Sequence, residues 1–243
     1  NRIEFADSGD KLKLTSIDNW GDVVWSTMSS VFFGCDNLIS NYNDKPNLSN
    51  VSDMSFMFRD CFNFNGEVNN WDVSNVVNMK WLFRKTLFNN TINNWDVSNV
   101  TNMLYMFRET PFNQSINNWN LQSAINLSGI FLRSDFNQLL TLDTSNVEDM
   151  SSFLFEANNF KQSLANLNIE NVINFDNFLK DTDINDAGTT TNYDETLNSF
   201  ANQNVQSNLS FDGGNSQYSN VGKVGRDKLI NDFGWTITDG GLI

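Results

Sequence analysis

An α/β solenoid, with parallel strands on one side of each coil and short helical turns on the other, is the fold class this sequence predicts. Three observations predict it. A nine-residue phrase recurs at near-constant spacing, the apolar positions inside each unit change period midway, and asparagine supplies 42 of the 243 residues.

The phrase reads WDVSNVVNM at 71–79 and WDVSNVTNM at 95–103. Weaker copies begin at Trp119, Leu142 and Leu167, with Pro46–Met54 upstream and a degenerate unit at Trp25–Met28. One register position runs Trp25, Val51, Val76, Val100, Ala124, Val147, Val172, in steps of 26, 25, 24, 24, 23 and 25 residues. Within a unit, Ile92, Trp95 and Val97 follow L-x-x-L-x-L, the last two alternating as in a half-buried strand. Val100, Met103, Met106 and Phe107 follow at steps of three and one, the face of a short α or 3₁₀ turn. About seven large apolar side chains per coil contribute roughly 1.5–3 kcal/mol apiece on burial. Ordering each residue of the coil costs about 1–2 kcal/mol. A lone coil is therefore unstable, and stacking strand beside strand at ~4.8 Å is the expected solution.

The chain divides into an N-terminal cap (1–24), a solenoid of about seven coils of 23–26 residues (25–190), and a C-terminal cap (191–243). Arg2–Phe5 and Lys11–Ile17 alternate like strands that cover the first coil. After Leu179 the repeat fades, and the pattern predicts a helix at Tyr193–Ala201, a strand at Val205–Phe211, a helix at Gly225–Phe233 and a strand at Trp235–Thr238.

Composition narrows function. With 15 Lys+Arg against 29 Asp+Glu the net charge is −14, which disfavours nucleic acid as a partner. The absence of histidine removes Ser-His-Asp and Cys-His catalysis and histidine metal sites. No apolar run approaches the ~20 residues of a membrane span, so no membrane insertion is expected. Asn1–Phe5 shows no signal peptide, which suggests a processed form or a piece of a longer protein.

Units such as WDVSNVTNMLYMF (95–107) followed by FNQSINNW (112–119) resemble the BspA-like bacterial surface-protein repeats, an asparagine-rich branch of the leucine-rich repeats. Trp20–Trp25 with Phe33–Leu38 is similar to that family's opening unit, and Asn192–Leu197, Val205–Ser207, Phe211–Gly214 and Gly234–Gly241 to its closing segment. The resemblance implies a right-handed leucine-rich-repeat-like solenoid with parallel strands on the concave face and short α or 3₁₀ helices opposite. It implies a secreted or cell-surface location, adhesion or recognition as part of a larger surface protein, and no enzymatic activity. It transfers no ligand-contact residues.

The residue between the two strand hydrophobes, Asn47, Asp72, Asp96, Asn120, Asp143 and Asn168 in successive coils, points outward on the concave face. With Asn70, Asn94 and Asn118 beside it, this column makes a flat, mildly acidic strip. The strip is the expected contact for a protein or glycan on a host or neighbouring cell, with a solvated sheet face as the bland alternative. Calcium bridging Asp72 and Asp96 is the one ion considered, and no other cofactor is expected. A polysaccharide-acting enzyme using acidic groove residues is the competing function, and a structural spacer the third.

Four further features complete the inventory. Asp181, Asp183 and Asn185 alternate like calcium-loop ligands, but Asp186 stands where such loops need Gly and Asn192 where they need Glu. Cys35 and Cys61 share one column on adjacent coils, as buried free thiols or, less favoured, a disulfide. Arg59, Arg84 and Arg108 form a column balanced by Asp60 and Glu109, with an anionic partner as the alternative. Three asparagine columns, led by Asn50, Asp53 and Asn65, are expected to close turns and bridge coils.

Overall fold

The segment after each register valine decides how one coil meets the next, and it does so through backbone hydrogen bonds of two alternating kinds. In the computed structural model, which describes residues 5–243, the N–H groups of Met54, Phe56, Phe58 and Asp60 donate to the carbonyls of Asn78, Lys80, Leu82 and Arg84 in the following coil, at 2.8–3.0 Å. Between them, Met57 N–H returns to Met54 C=O and Cys61 N–H to Phe58 C=O. Every second donor thus serves the neighbouring coil and the intervening ones close tight turns. The pattern repeats from Met79, Met103, Leu127 and Met150, each onto the coil that follows. Parallel bridges run in one file through Asp53, Asn78, Asn102, Asn126, Asp149 and Asn174.

This geometry requires left-handed backbone twice per coil. The third residue of the first turn is Ser30, Phe56, Trp81, Tyr105, Gly129, Ser152 or Asn177, with φ between +54° and +60°. The second turn places Gly34, Asp60, Lys85, Glu109, Arg133, Glu156 or Asp181 at φ between +53° and +78°. Left-handed residues cannot continue an α-helix. The step-of-three spacing read as helical is therefore the spacing of consecutive turns, and within 25–190 no α-helix forms.

The Trp-x-Val stretch differs from expectation in the complementary way. No backbone bridge joins Trp71–Val73, Trp95–Val97 or Trp119–Leu121 across coils. The backbone bonds locally here: Ser74 N–H donates to Asp72 Oδ1, Ser98 N–H to Asp96 and Gln122 N–H to Asn120, each two residues on. Side chains join the coils here instead, with Trp95 Nε1–H donating to Val68 C=O at 2.8 Å and Trp119 Nε1–H to Ile92 C=O at 3.2 Å. Trp71, Trp95 and Trp119 hold equivalent places, 6.1–6.4 Å from Phe58, Phe83 and Phe107.

Inside the coils, phenylalanine forms two parallel files. Phe58, Phe83, Phe107 and Phe131 stack at 5.9–6.0 Å between centroids. Phe88, Phe112, Phe136 and Phe160 stack at 6.0–6.3 Å. Phe83–Phe88, Phe107–Phe112 and Phe131–Phe136 close to 3.8–4.0 Å across the files. All of these rings are buried.

Asparagine supplies the rest of the coil-to-coil joinery. Asn65, Asn89, Asn113 and Asn137 each present Oδ1 to the backbone N–H one coil later, at Asn89, Asn113, Asn137 and Lys161. Asn75, Asn99, Asn146 and Asn171 each donate through Nδ2 to a carbonyl of the preceding coil. Asp53, Asn78, Asn102, Asn126, Asp149 and Asn174 accept the N–H two residues on.

Both ends continue the ladder. Phe5 and Asp7 donate to Val31 and Phe33 of the first coil, and β1 (Ser16–Ile17) pairs in parallel with β2 (Ile39–Ser40). The expected Arg2–Phe5 strand lies, apart from Phe5, outside the described residues, and Lys11–Lys13 form a 3₁₀ turn rather than strand. At the other end are α1 (Thr191–Ala201), β3 (Ser210–Asp212), α2 (Asn220–Phe233) and β4 (Thr236–Thr238), with β3 and β4 parallel. Leu179 N–H donates to Asp212 C=O, joining the last coil to β3. α2 approaches α1 so closely that a Cβ on Gly225 would stand 2.6 Å from Leu197 C=O.

Two substitutions test the two cohesive elements. Phe83→Ala, mid-file, is expected to cost about 3–5 kcal/mol. Asn89→Ala, which strips the acceptor from Asn113 N–H and Gln114 Nε2, is expected to cost about 1–3 kcal/mol. Both are read as falls in urea midpoint at unchanged slope.

Candidate functional site

Asp72, Asp96, Asn120 and Asp143 are exposed, and so are Asn70, Asn94 and Asn118. Adjacent coils hold these residues in register because Asn75 Nδ2–H reaches Ser49 C=O at 3.2 Å and Asn99 Nδ2–H reaches Ser74 C=O at 2.8 Å, on the rim of the strip. Asp72 and Asp96 are near enough that the charge of the first opposes ionisation of the second.

Each member of the acidic column closes its own turn through one oxygen. Ser74 donates to Asp72 Oδ1 from its hydroxyl at 2.6 Å and its N–H at 3.2 Å. Ser98, Gln122, Ser145 and Glu170 N–H groups donate to Asp96, Asn120, Asp143 and Asn168 at 3.0 Å. These bonds hold the carboxyls of Asp72 and Asp96 below the usual carboxylate range, with the serine hydroxyl the larger cause and the serine N–H the next. Where the column is Asn47, Asn120 or Asn168 the same bond forms without a charge, so charge is not what the turn requires. The second carboxylate oxygens of Asp72, Asp96 and Asp143 make no hydrogen bond among the described residues, nor do the side chains of Asn70, Asn94 and Asn118.

Open hollows lie toward either end of the repeats. One of about 380 Å³ is lined by Asp22, Lys45, Asn47, Ser49 and Asp72. Another of about 400 Å³ is lined by Asn146, Glu148, Asn171, Ile173 and Gln206.

The remaining candidates divert to structural bonds. Asn185 is 3% exposed, with Oδ1 accepting Tyr193 N–H and Nδ2 donating to Gln217 C=O, while Asp183 accepts Asn185 N–H. Asp181 is exposed at the left-handed turn position, so the alternating acids serve as the junction between last coil and cap. Among the described residues no group of three Cys, Asp or Glu side chains gathers to hold a metal ion. Cys35 and Cys61 are free and buried, so the disulfide considered for them is not formed. Cys61 Sγ–H donates to Phe32 C=O at 2.8 Å, and burial pushes the Cys35 thiol up to about 12. Arg59 and Arg84 pair with Asp60 at 3.1 and 2.7 Å, and Arg108 with Glu109 at 2.9 Å. The half-buried aromatic column Phe56, Trp81, Tyr105 lies against these arginines and has no counterpart in the sequence-derived candidates.

A family described as "Mycoplasma protein of unknown function, DUF285" matches residues 26–142 and 133–221. The chain belongs to this family. The DUF285 matches together span every coil, α1 and β3, so the ladder, the aromatic files and the exposed strip all lie within family territory. No curated protein and no solved structure matches the DUF285 chain. No helix among its described residues is long and apolar enough to cross a membrane.

Acid should loosen this DUF285 chain. Asp44, Asp72, Asp96 and Glu156 all have their carboxyls held low, by backbone N–H groups of Trp20 and Gly21, by Ser74, by Ser98 and by Arg133 respectively. A carboxyl depressed on folding adds stability that is present above its unfolded-state value, about 4, and lost as pH falls through the folded one. The melting temperature is expected to hold near neutrality and drop below about pH 4. Asp72→Asn with Asp96→Asn should lower the neutral melting temperature slightly and shrink the acid loss, as followed by circular dichroism.

Proposed function

We propose that the chain is a non-catalytic recognition module of a secreted or cell-surface protein, of the BspA-like leucine-rich-repeat type. Its coils wind right-handed, and the strip from Asn70 through Asp143 lies on the concave side and meets a protein or glycan partner. One observation carries this: rung after rung, the strip offers amides and carboxylate oxygens that the fold does not use, with negative charge where neutral asparagine closes the same turn. Unpaired donors and acceptors on a rigid, exposed element are what orient a polar partner.

Catalysis is less well supported. General acid catalysis needs a carboxyl that keeps its proton near neutrality, whereas Asp72 and Asp96 are both held low. The turn-and-ladder pattern also passes from Met54 to Glu156 without a break, so no coil opens to build a catalytic cleft.

The test is binding to host-matrix proteins and a glycan array, comparing wild type with Asp72→Lys/Asp96→Lys and Asp72→Asn/Asp96→Asn. The lysine pair is expected to weaken the captured interaction at least tenfold, with the asparagine pair between it and wild type. Loss of binding in chelator assigns a calcium bridge between the two aspartates. Unchanged binding by the lysine pair, or no ligand for wild type, overturns the proposal; the second result leaves the spacer.

A further inference from the structure

The left-handed position of the first turn is eased by glycine or asparagine, which Gly129 and Asn177 supply, and two further coils place the small Ser30 and Ser152 there. Three consecutive coils instead carry Phe56, Trp81 and Tyr105 at φ +60°, +60° and +55°. Each such residue costs about 1–2 kcal/mol of backbone strain. Burial offsets it only in part, since all three rings remain half-buried while Phe58, Phe83 and Phe107, two positions on, are fully enclosed. Aromatic surface left half in water on three neighbouring coils, where serine, glycine or asparagine closes the same turn in the others, points to use of this face.

The rings form one continuous strip. Phe33–Phe56, Phe56–Trp81 and Trp81–Tyr105 centroids lie 6.3, 6.2 and 4.8 Å apart. The strip ends where the next coil has Gly129, whose added Cβ would stand 2.1 Å from the Tyr105 ring. Trp81 is the centre: the guanidinium carbons of Arg59, Arg84 and Arg108 lie 4.5, 5.2 and 5.7 Å from its centroid. Asp60 and Glu109 anchor Arg59 and Arg108 through Nε, and the terminal nitrogens of those two arginines make no hydrogen bond among the described residues. Arg59, Arg84, Lys85 and Arg108 pair with Asp60 and Glu109 here, Lys80 lies over Phe56, and Asp36 shares a hollow with Asp60 and Lys85, so five cations meet three acids on a chain of net charge −14.

A densely charged polyanion would meet the repulsion of the whole chain within a Debye length of about 8 Å. A partner with sparse carboxylates would meet only the local excess of cations. Arg59 and Arg108 sit two rungs apart, about 10 Å at ~4.8 Å per rung, on either side of Trp81. Guanidinium ends match planar carboxylates in a two-pronged pair, and the Trp81 ring, already covered by the guanidiniums, fixes where those ends stand. We propose that Arg59 and Arg108, held in place by the strip Phe56–Trp81–Tyr105, bind a linear glycan bearing a carboxylate on every second sugar, successive acidic sugars resting on the two arginines. The site shares no residue with the Asp72–Asp96 strip and does not depend on that strip being functional.

The probe is a hyaluronan octasaccharide, titrated by calorimetry into the full chain, with a neutral chitin oligosaccharide, heparin and poly-glutamate as comparators. Wild type should bind hyaluronan and not the neutral oligosaccharide. Trp81→Gly and Arg59→Gln/Arg108→Gln should each weaken it at least tenfold, and Asp72→Lys/Asp96→Lys should not weaken it. Tyr105→Asn, which suits the left-handed backbone as Asn177 does, provides a second ring deletion should Trp81→Gly lower the melting temperature. No binding of hyaluronan by wild type, equal binding by the ring and arginine variants that remain folded, or tighter binding of heparin or poly-glutamate would each overturn the assignment.

Discussion

The alternation of backbone donors between the neighbouring coil and the coil's own turns is the constraint on which the rest of this protein depends. Once Met54, Phe56, Phe58 and Asp60 give their N–H groups to the next coil, the residues between them must turn the chain within three positions, and the third of each turn must be left-handed. The strain is distributed, about 1–2 kcal/mol at each non-glycine site. It is offset by four inter-coil bonds per rung and by rings that can stack only if the rungs keep one spacing. Changes in repeat length are confined to the segments between the ladder and the next coil, which is why steps of 23 to 26 residues coexist with an unbroken ladder.

Asparagine dominates the composition because its amide substitutes for backbone in a chain with little regular secondary structure. One column closes turns from Oδ1, another hands Oδ1 to the next coil's N–H, and a third sends Nδ2–H back to the preceding carbonyl. Buried or half-buried backbone groups need partners, and a coil of consecutive turns leaves many without one. Where the column lapses, as at Ser123, the side chain is too short to reach back to the preceding coil. Polar groups outside these duties, those of the exposed strip among them, stand apart from the joinery.

Charge is segregated around the coil. Acids occur singly on the Asx-turn column, each tied to its own turn, while cations gather with aromatic rings on the turn face. Eight residues of chain lie between Asp72 and Trp81, with buried Trp71, Val73, Val76 and Met79 in or beside the interval. Solvent and salt screen such surfaces from one another over about a Debye length. A single rigid stack can thus present two chemistries without either disturbing the other.

The spacing of the units, the buried Phe, Met, Val and Trp positions and the structural role of the asparagines were legible in the sequence, because identical residues at identical spacing must meet identical surroundings in a stack. Helix at 191–201 and strand near Phe211 were legible too, within a few residues. Which half of the coil carries the ladder was not. Steps of three and one suit helix and successive turns alike, and only the left-handed backbone at Trp81 and Lys85 separates them. For the same reason Trp81 and Tyr105 passed as ordinary apolar residues beside the core, although they stand half outside it beside the arginines. The sequence determined that residues one repeat apart are neighbours in space; the tertiary structure alone decided which side chains turn inward, because that depends on the sign of φ at two positions per coil, which side-chain identity does not encode.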